Sequence, residues 1–287
     1  MREGGILISV PTFGTLDVEF ASRFYSIELP LNAAVARCWP VGMPVADARN
    51  MSVKAAIERG CEYVFFVDYD VLLPPDALTA LVARNTEMIG GLYFSKSKPP
   101  WPLLLVNGHS SMDWTPGELV KVDALGMGCT LLRVDLLEQL EPPWFKTGDS
   151  TERVAENEVV RSYHTEDTYF FKRVREELGV RPYVDTAVRC VHKHLTTGDR
   201  FFYDDESGLP AWSDADGEKH IVEPVDHSDC PVRDLTEEDK HEEDSCCAAG
   251  DTDAGERGDC RSDADQEGGL PGRVREHESR NVPGAVR

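Results

Sequence analysis

Uninterrupted apolar runs alternate with helix-like segments along the first hundred residues. The runs cover residues 5–10, 63–67 and 88–94, and their lack of polar alternation is typical of parallel strands buried on both faces. Residues 45–59 predict a helix before the second run, and residues 75–84 predict another before the third. The order strand, helix, strand, helix, strand indicates a doubly wound α/β fold. Such folds bind ligands beyond the carboxyl ends of their strands.

A second set of predicted elements follows. Residues 126–132 predict a strand entered through two glycines, which allow a ligand close to the backbone, and residues 134–140 predict a short helix. Apolar residues at helical spacing predict a helix over 168–178, and residues 183–191 predict a strand. The fold class expected from these elements is α/β, with a mostly parallel sheet flanked by helices.

Acidic residues are concentrated at the C-terminal end. The 287-residue chain has a formal net charge of −22, and residues 204–287 hold 25 acidic against 9 basic side chains. Trp212 is the one large aromatic residue in that range. Such a composition cannot bury enough apolar surface to offset chain entropy. We therefore expect a folded domain over residues 1–203 and an acidic, disordered tail over residues 204–287.

Charge and hydropathy also restrict the partners and the compartment. The chain has no basic stripe to neutralise phosphates, so we expect no nucleic-acid partner. No apolar segment approaches the length of a membrane span, and the residues before the first strand lack the core of a signal peptide. We therefore expect a cytoplasmic protein with no membrane span.

The apolar run 63–67 ends at two carboxylates, Asp68 and Asp70, which are separated by Tyr69. On an extended backbone, residues two apart point to the same side, so we expect Asp68 and Asp70 to converge while Tyr69 faces away. Carboxylate oxygens are ligands that suit Mg²⁺ and Mn²⁺. The alternative is an ordinary turn after a strand, because aspartate is common in turns. The position at the ligand-binding edge favours a cation site.

Further polar groups stand at the ends of the later elements. Glu166 and Asp167 follow Thr165 at the start of the helix over 168–178, and His192 follows the last predicted strand. Each has an ordinary structural explanation: acids favour the positive end of a helix, and a lone histidine often lies at the edge of a core. Together with the carboxylate pair, however, they indicate a metal site with a nearby base.

In their order along the chain, these residues resemble the nucleotide-sugar glycosyltransferases of the GT-A fold, and glycosyltransferase family 2 most of all. The matching motifs are Asp68-Tyr69-Asp70, Gly126 to Leu132, Pro143-Trp144-Phe145, Thr165-Glu166-Asp167 and Cys190-Val191-His192. The resemblance implies a GT-A-like fold, a nucleotide-sugar donor, and an acceptor of unspecified class (glycan, lipid or protein).

The resemblance also implies roles for the motif residues. Asp70 and His192 would bind Mn²⁺ or Mg²⁺, and Asp68 would contact the nucleotide ribose, or the metal through water. Asp167 would be the catalytic base of an inverting transfer, with Glu166 as the neighbour most easily confused with it. A divalent cation neutralises the charge of a leaving diphosphate, and a carboxylate beside the acceptor hydroxyl contributes a factor of ~10² to 10⁴ in rate.

Three more residues are expected near the nucleotide, because they lie where strand and helix ends would approach it: Pro11, Thr12 and Arg49. Arg49 can make a bidentate contact with a phosphate or a base. The chain departs from the family in having no QxxRW sequence and no identifiable acid for holding uracil. Residues 95–120, which include Lys96, are the segment where acceptor specificity is expected.

Two other functions compete with this interpretation. Residues 66–72 also resemble the first motif of haloacid dehalogenase-type phosphatases, in which the first aspartate is a nucleophile and the second a general acid. That motif usually sits on the first strand of its domain, whereas here a complete strand–helix unit precedes it. A non-catalytic acidic binding module is the third interpretation. Product analysis separates the three, because a transferase releases nucleoside diphosphate, a phosphatase releases inorganic phosphate, and a binding module releases neither.

Overall fold

The computed structural model describes residues 4–155 and 158–222, with the backbone alone described for residues 149–163. Most of the predicted acidic, disordered tail lies outside the described residues. The helices are α1 (Val18–Tyr25), α2 (Val45–Glu58), α3 (Ala77–Ala83), α4 (Val134–Leu137) and α5 (Glu166–Leu178). The strands of the central sheet are β1 (Gly5–Ser9), β2 (Ala34–Cys38), β3 (Tyr63–Val67), β5 (Met88–Leu92), β8 (Leu119–Lys121), β10 (Cys129–Arg133) and β13 (Tyr183–Arg189).

The central sheet has seven strands in the order β2-β1-β3-β10-β5-β13-β8. β1 is parallel to both β2 and β3, and β13 is parallel to β5, whereas β10 and β8 are antiparallel to their neighbours. The chain leaves β1 through α1 to reach β2 on one side, and then passes through α2 to β3 on the other side. This reversal creates a topological switch point between the carboxyl ends of β1 and β3. The predicted fold class, α/β with a mostly parallel sheet flanked by helices, is confirmed.

Successive side chains on the central strands enter opposite hydrophobic cores. Phe66 of β3 belongs to a core that includes Val53 of α2, whereas Phe65 belongs to a core that includes Phe20 of α1 and Leu78 of α3. Burying each of these side chains stabilises the fold by roughly 1.5–3 kcal/mol. Because both faces of β3 are covered by apolar residues, polar chemistry is confined to the ends of the strands.

The remaining strands form three smaller sheets. An antiparallel sheet, called the second sheet below, has the order β17-β16-β15-β14-β4. Its strands are β4 (Val71–Leu72), β14 (Val191–Lys193), β15 (Arg200–Asp204), β16 (Leu209–Ser213) and β17 (Lys219–Ile221). The other two sheets contain β6 (Leu104–Val106), β7 (His109–Ser110) and β9 (Ala124–Leu125) in one, and β11 (Gly148–Ala155) and β12 (Glu158–His164) in the other.

The domain boundary expected after Tyr203 falls inside β15, which continues to Asp204. The next strand is also part of the fold, because Ala211 of β16 is fully buried and the N–H of Val222 donates to the carbonyl oxygen of Pro210 at 2.9 Å. The compact unit that holds all described elements runs from Met1 to Val225. β16 and β17 were not predicted from composition, because their connecting turns are rich in acidic residues and resemble the acidic tail.

The predicted helices are present with shifted ends: α3 begins two residues later than predicted, α4 ends three residues earlier, and α1 was not predicted. The difference that bears on the site is at α5. This helix begins at Glu166, two residues before the predicted start, so the acids of the Thr165-Glu166-Asp167 motif lie in its first turn. The positive end of the helix dipole favours acids there. In the described ranges, every helix is too short or too polar to cross a membrane.

Candidate functional site

A cleft of about 300 Å³ opens at the switch point, between the carboxyl ends of β1 and β3. Its volume is at the lower end of the range for small-molecule sites. The cleft brings together residues that follow β1, lie in α2, follow β3 and begin α5. Six of the predicted site residues line it: Pro11, Thr12, Arg49, Asp68, Asp70 and Glu166. The expectation that function resides at this edge of the sheet is therefore matched by a cavity with polar walls.

The carboxylates of Asp68 and Asp70 have different partners, although both residues line the cleft. β3 ends at Val67, and the next residues form a turn in which the N–H of Val71 donates to the carbonyl oxygen of Asp68 at 2.9 Å. The chain must turn there because Val71 begins β4, which belongs to the second sheet. Each carboxylate pairs with a different basic side chain. Tyr69, which was expected to face away, lines the cleft.

Arg49 is a buried cation between two carboxylates. It is 2% exposed, its Nη1 donates to Glu166 Oε1 at 2.6 Å, and its Nη2 donates to the two oxygens of Asp68 at 3.0 and 3.3 Å. Burial alone would lower the pKa of Arg49, but the charges of Asp68, Glu166 and Asp167 outweigh it and raise the pKa. A bidentate phosphate contact by Arg49 would have to replace these hydrogen bonds.

Glu166 and Asp167 have different surroundings at the start of α5. Burial raises the pKa of Glu166, and Arg49 offsets this only in part because one guanidinium serves two carboxylates. Asp167 is more exposed, and its Oδ1 accepts the Thr168 N–H at 2.7 Å and the Thr165 hydroxyl. Thr165 therefore bonds to Asp167 instead of capping a backbone N–H. Glu166 lines the cleft, and Asp167 lies beside it in the sequence without lining it.

The pairing of β4 with β14 brings His192 to Asp70. The N–H of Lys193 donates to the Asp70 carbonyl at 2.8 Å, and His192 Nε2 lies 3.6 Å from Asp70 Oδ1. The other carboxylate oxygen, Oδ2, accepts a hydrogen bond from Lys96 Nζ. Burial would raise the pKa of Asp70, but the contacts with His192 and Lys96 outweigh it and lower the pKa to about 2. Asp70 is therefore a carboxylate held ionised between two basic groups.

His192 has the hydrogen bonding expected of a metal ligand. Its Nδ1 lies 2.7 Å from the carbonyl oxygen of Phe94, and because a carbonyl can only accept, Nδ1 carries hydrogen. In the neutral ring, Nε2 is then an acceptor beside a carboxylate, an arrangement that requires either a proton or a cation between them. Neighbouring ligand atoms of an octahedral Mg²⁺ lie about 3 Å apart. The spacing of 3.6 Å between His192 Nε2 and Asp70 Oδ1 is longer than this, so the two side chains would close slightly around a shared cation.

Asp68 is less well placed for the same ion. In the described part of the chain, Asp68, Asp70 and His192 do not form a group whose ligand atoms all lie within 4.8 Å of one another. The physical reason is the attraction of Asp68 to Arg49. Its predicted alternative role, contact with a ribose or with a metal through water, requires no direct ligation.

Another group of three possible ligands lies on the β16–β17 hairpin. Its members, with ligand atoms within 4.8 Å of one another, are Asp214, Glu218 and His220. Asp214 Oδ1 already accepts the Glu218 N–H at 2.9 Å, so this carboxylate stabilises the hairpin turn. β17 is the edge strand of the second sheet farthest from β4. These three residues therefore do not form part of the cleft.

Sequence reasoning missed Met43 and Val45 on the wall of the cleft, and three further residues with a clearer positional signal. Lys96 was placed in the segment expected to select the acceptor, yet it contacts Asp70. Phe13 and Tyr69 line the cleft, and their ring centroids are 6.3 Å apart in an edge-to-face arrangement. Their position along the sequence could have identified Phe13, Tyr69 and Lys96, because each lies just beyond the carboxyl end of a predicted strand.

Comparison with known proteins gives distant similarities. No family model matches the chain, and no curated protein does. A197 from STIV is similar in structure with a TM-score of 0.48 and 15% identity, over 76% of this chain and 94% of A197. TarS from S. aureus gives a TM-score of 0.38 and 16% identity, over 64% of this chain and 36% of TarS. UDP-glucose pyrophosphorylase complexed with UDP-glucose gives a TM-score of 0.37 and 9% identity, over 66% of this chain and 92% of that enzyme.

Proposed function

We propose that this chain is a glycosyltransferase that uses Mn²⁺ or Mg²⁺ to move a sugar from a nucleotide-sugar donor to an acceptor hydroxyl with inversion. The observation that carries the proposal is the state of His192. Its Nδ1 is fixed by the Phe94 carbonyl, which leaves Nε2 beside the Asp70 carboxylate. Asp70 in turn lines a cleft at the switch point of an α/β sheet, where this architecture binds ligands.

Asp70 and His192 are the residues that would hold the cation. A bound cation would neutralise the charge that develops on the leaving diphosphate. Asp68 is oriented by Arg49, so it is ready to accept a hydrogen bond from a ribose hydroxyl or a water. Thr12 donates its N–H to the Pro40 carbonyl at 2.9 Å, which fixes the backbone beside the nucleotide part of the cleft.

We assign the base to Asp167 and a supporting role to Glu166. Oε1 of Glu166 accepts a hydrogen bond from Arg49 at 2.6 Å, so this carboxylate is occupied in holding the buried guanidinium. The described hydrogen bonds to Asp167 come from the Thr168 N–H and the Thr165 hydroxyl, which orient it through uncharged donors. A carboxylate in this position would accept the proton of the acceptor hydroxyl as the sugar is transferred.

The phosphatase alternative is disfavoured by the contacts of Asp68. In that chemistry the first aspartate must attack as a free nucleophile. Both oxygens of Asp68 accept hydrogen bonds from the buried Arg49, which lowers their nucleophilicity. The geometry therefore favours a role for Asp68 in orientation over a role in covalent catalysis.

Incubation of the full chain with Mn²⁺ and a panel of UDP-, GDP- and dTDP-sugars tests the proposal. We expect slow, Mn²⁺-dependent release of nucleoside diphosphate from one donor, and faster release when the correct acceptor is added. Asp70→Asn should lose the Mn²⁺-dependent release while remaining folded, with a lower melting temperature because its ion pair with Lys96 is lost. Release of inorganic phosphate from phosphoesters would instead favour the phosphatase, and no release of either product would favour the binding module.

A further inference from the structure

Lys96 is held at the site by a loop that is fastened at both ends. The N–H of Ser95 donates to the Trp101 carbonyl at 2.7 Å, and the N–H of Trp101 donates to Ser95 Oγ at 2.9 Å. At the tip of this loop, Lys98 forms an ion pair with Asp199 at 2.8 Å. The backbone around Lys96 is therefore positioned before any ligand binds, while its own side chain keeps a flexible four-carbon stem.

Asp70 is the residue that a divalent cation would have to share with Lys96. Its Oδ2 accepts from Lys96 Nζ, and its Oδ1 faces His192. A cation bound by Asp70 and His192 would stand close to the Lys96 ammonium, and like charges at such a separation repel strongly in a partly buried site. The Lys96 side chain is 27% exposed, so it has space to leave Asp70.

The cleft provides few other positive charges for a diphosphate. Within the described residues that line it, Arg49 is the basic one, and it is already paired with Asp68 and Glu166. Once the sugar–phosphate bond breaks, the nucleoside diphosphate carries more negative charge than one divalent cation neutralises, so a second, mobile cation would stabilise the leaving group.

We propose that Lys96 is this second cation: it occupies Asp70 in the free protein, weakens divalent-cation binding there, and moves to the diphosphate of the donor once the cation is bound. The inference rests on the proposed function, because it requires both a divalent cation and a nucleoside diphosphate at this cleft. By this inference Lys96 binds the donor, although it lies in the segment over residues 95–120, where acceptor specificity was expected.

Two titrations of the full chain test this exchange. The first measures Mn²⁺ alone by the loss of the free-ion electron paramagnetic resonance signal, and the second measures UDP and GDP by calorimetry at saturating Mn²⁺. We expect Lys96→Met to bind Mn²⁺ about 5-fold more tightly, because a competing ion pair is lost. The same variant should bind the preferred nucleoside diphosphate at least ~10-fold more weakly, because a charged contact is lost.

Two further variants complete the design. Lys96→Arg keeps the charge and should stay closer to wild type than Lys96→Met in both titrations. Lys54→Met removes one positive charge from an exposed site on α2, where Lys54 lies 3.9 Å from Glu58, and should change neither affinity. Unchanged or weaker Mn²⁺ binding by Lys96→Met would overturn the inference, as would unchanged nucleotide binding. A wild-type chain that binds neither Mn²⁺ nor a nucleoside diphosphate would overturn the proposed function itself.

Discussion

Arg49 Nη1 and Glu166 Oε1 lie 2.6 Å apart, so a buried ion pair joins α2 to the first turn of α5. The same guanidinium donates to Asp68 at the end of β3. One cation thus fixes two acids on the wall of the cleft before any ligand arrives. Such preorganisation is what a site needs if its charges are to stabilise a reaction without rearranging.

Removing the Arg49 charge should destabilise the fold. Arg49→Met leaves two carboxylates without their partner, and breaking a buried pair in this way costs about 3–5 kcal/mol. The free energy of unfolding in urea measures the loss. Lys54→Met, at an exposed ion pair, should change it by less than ~0.5 kcal/mol. Equal stability of the two variants would show that the Arg49 network contributes no more than a surface pair.

Substitutions of Asp167 and Glu166, the two acids at the start of α5, should differ in their effect on turnover. Asp167→Asn should bind the nucleotide-sugar almost normally but lose at least ~10²-fold in turnover, because the acceptor hydroxyl loses its base. Glu166→Gln, the matched neutral variant, should lose less turnover, because its amide oxygen can still accept the hydrogen bond from Arg49. If Glu166→Gln instead shows the larger loss of turnover, Glu166 is the base. A product that retains the anomeric configuration of the donor would contradict single displacement.

Acid should weaken the contact between α1 and the second sheet. Lys193 Nζ lies 2.9 Å from Asp17 and 3.0 Å from Glu19. The hydrogen bond from Lys193 lowers the pKa of Asp17 below 3.8, and contacts with Arg200 and Lys193 outweigh burial and lower the pKa of Glu19 below 4.5. Both carboxylates bind protons more weakly in the folded state than in the unfolded state. Their stabilisation is therefore present above those reference values and is lost as the pH falls through the folded-state pKa values.

Urea midpoints measured between about pH 6 and pH 3 check this linkage. The wild-type midpoint should fall with the pH, and that of Lys193→Met should fall less, because part of the acid-sensitive contact is already missing. Lys54→Met should keep the wild-type slope. Parallel curves for wild type and Lys193→Met would show that Asp17 and Glu19 are not stabilised by Lys193.

Truncation should locate the end of the folded unit. A chain that stops after Val225 keeps all five strands of the second sheet and should retain the melting temperature and the nucleotide binding of the full chain. A chain that stops after Tyr203, the boundary expected from composition, removes β16 with its fully buried Ala211 and should melt at a lower temperature. Identical melting of both truncated chains would place the boundary at 203 after all.

The central strands could be predicted because their apolar runs are local signals. Residues such as Phe65 and Phe66 are buried on opposite faces of one sheet, and this requires no knowledge of distant partners. The turn at Asp68 to Asp70 was considered only as the alternative, because choosing it depends on the pairing of β4 with β14, which lies far along the chain. Lys96 was misplaced for the same reason, since its partner Asp70 is reached only when β3 and β5 are assembled around β10.

We predict that His192 Nε2 and Asp70 together bind a divalent cation. Pulsed electron paramagnetic resonance of the Mn²⁺-loaded full chain measures this directly, because a coordinated imidazole nitrogen modulates the Mn²⁺ echo. We expect a nitrogen modulation in the wild-type chain that disappears in His192→Gln. We also expect Asp70→Asn to lose Mn²⁺ affinity. Mn²⁺ bound to the wild-type chain without nitrogen modulation, or with a modulation that survives His192→Gln, would contradict the prediction.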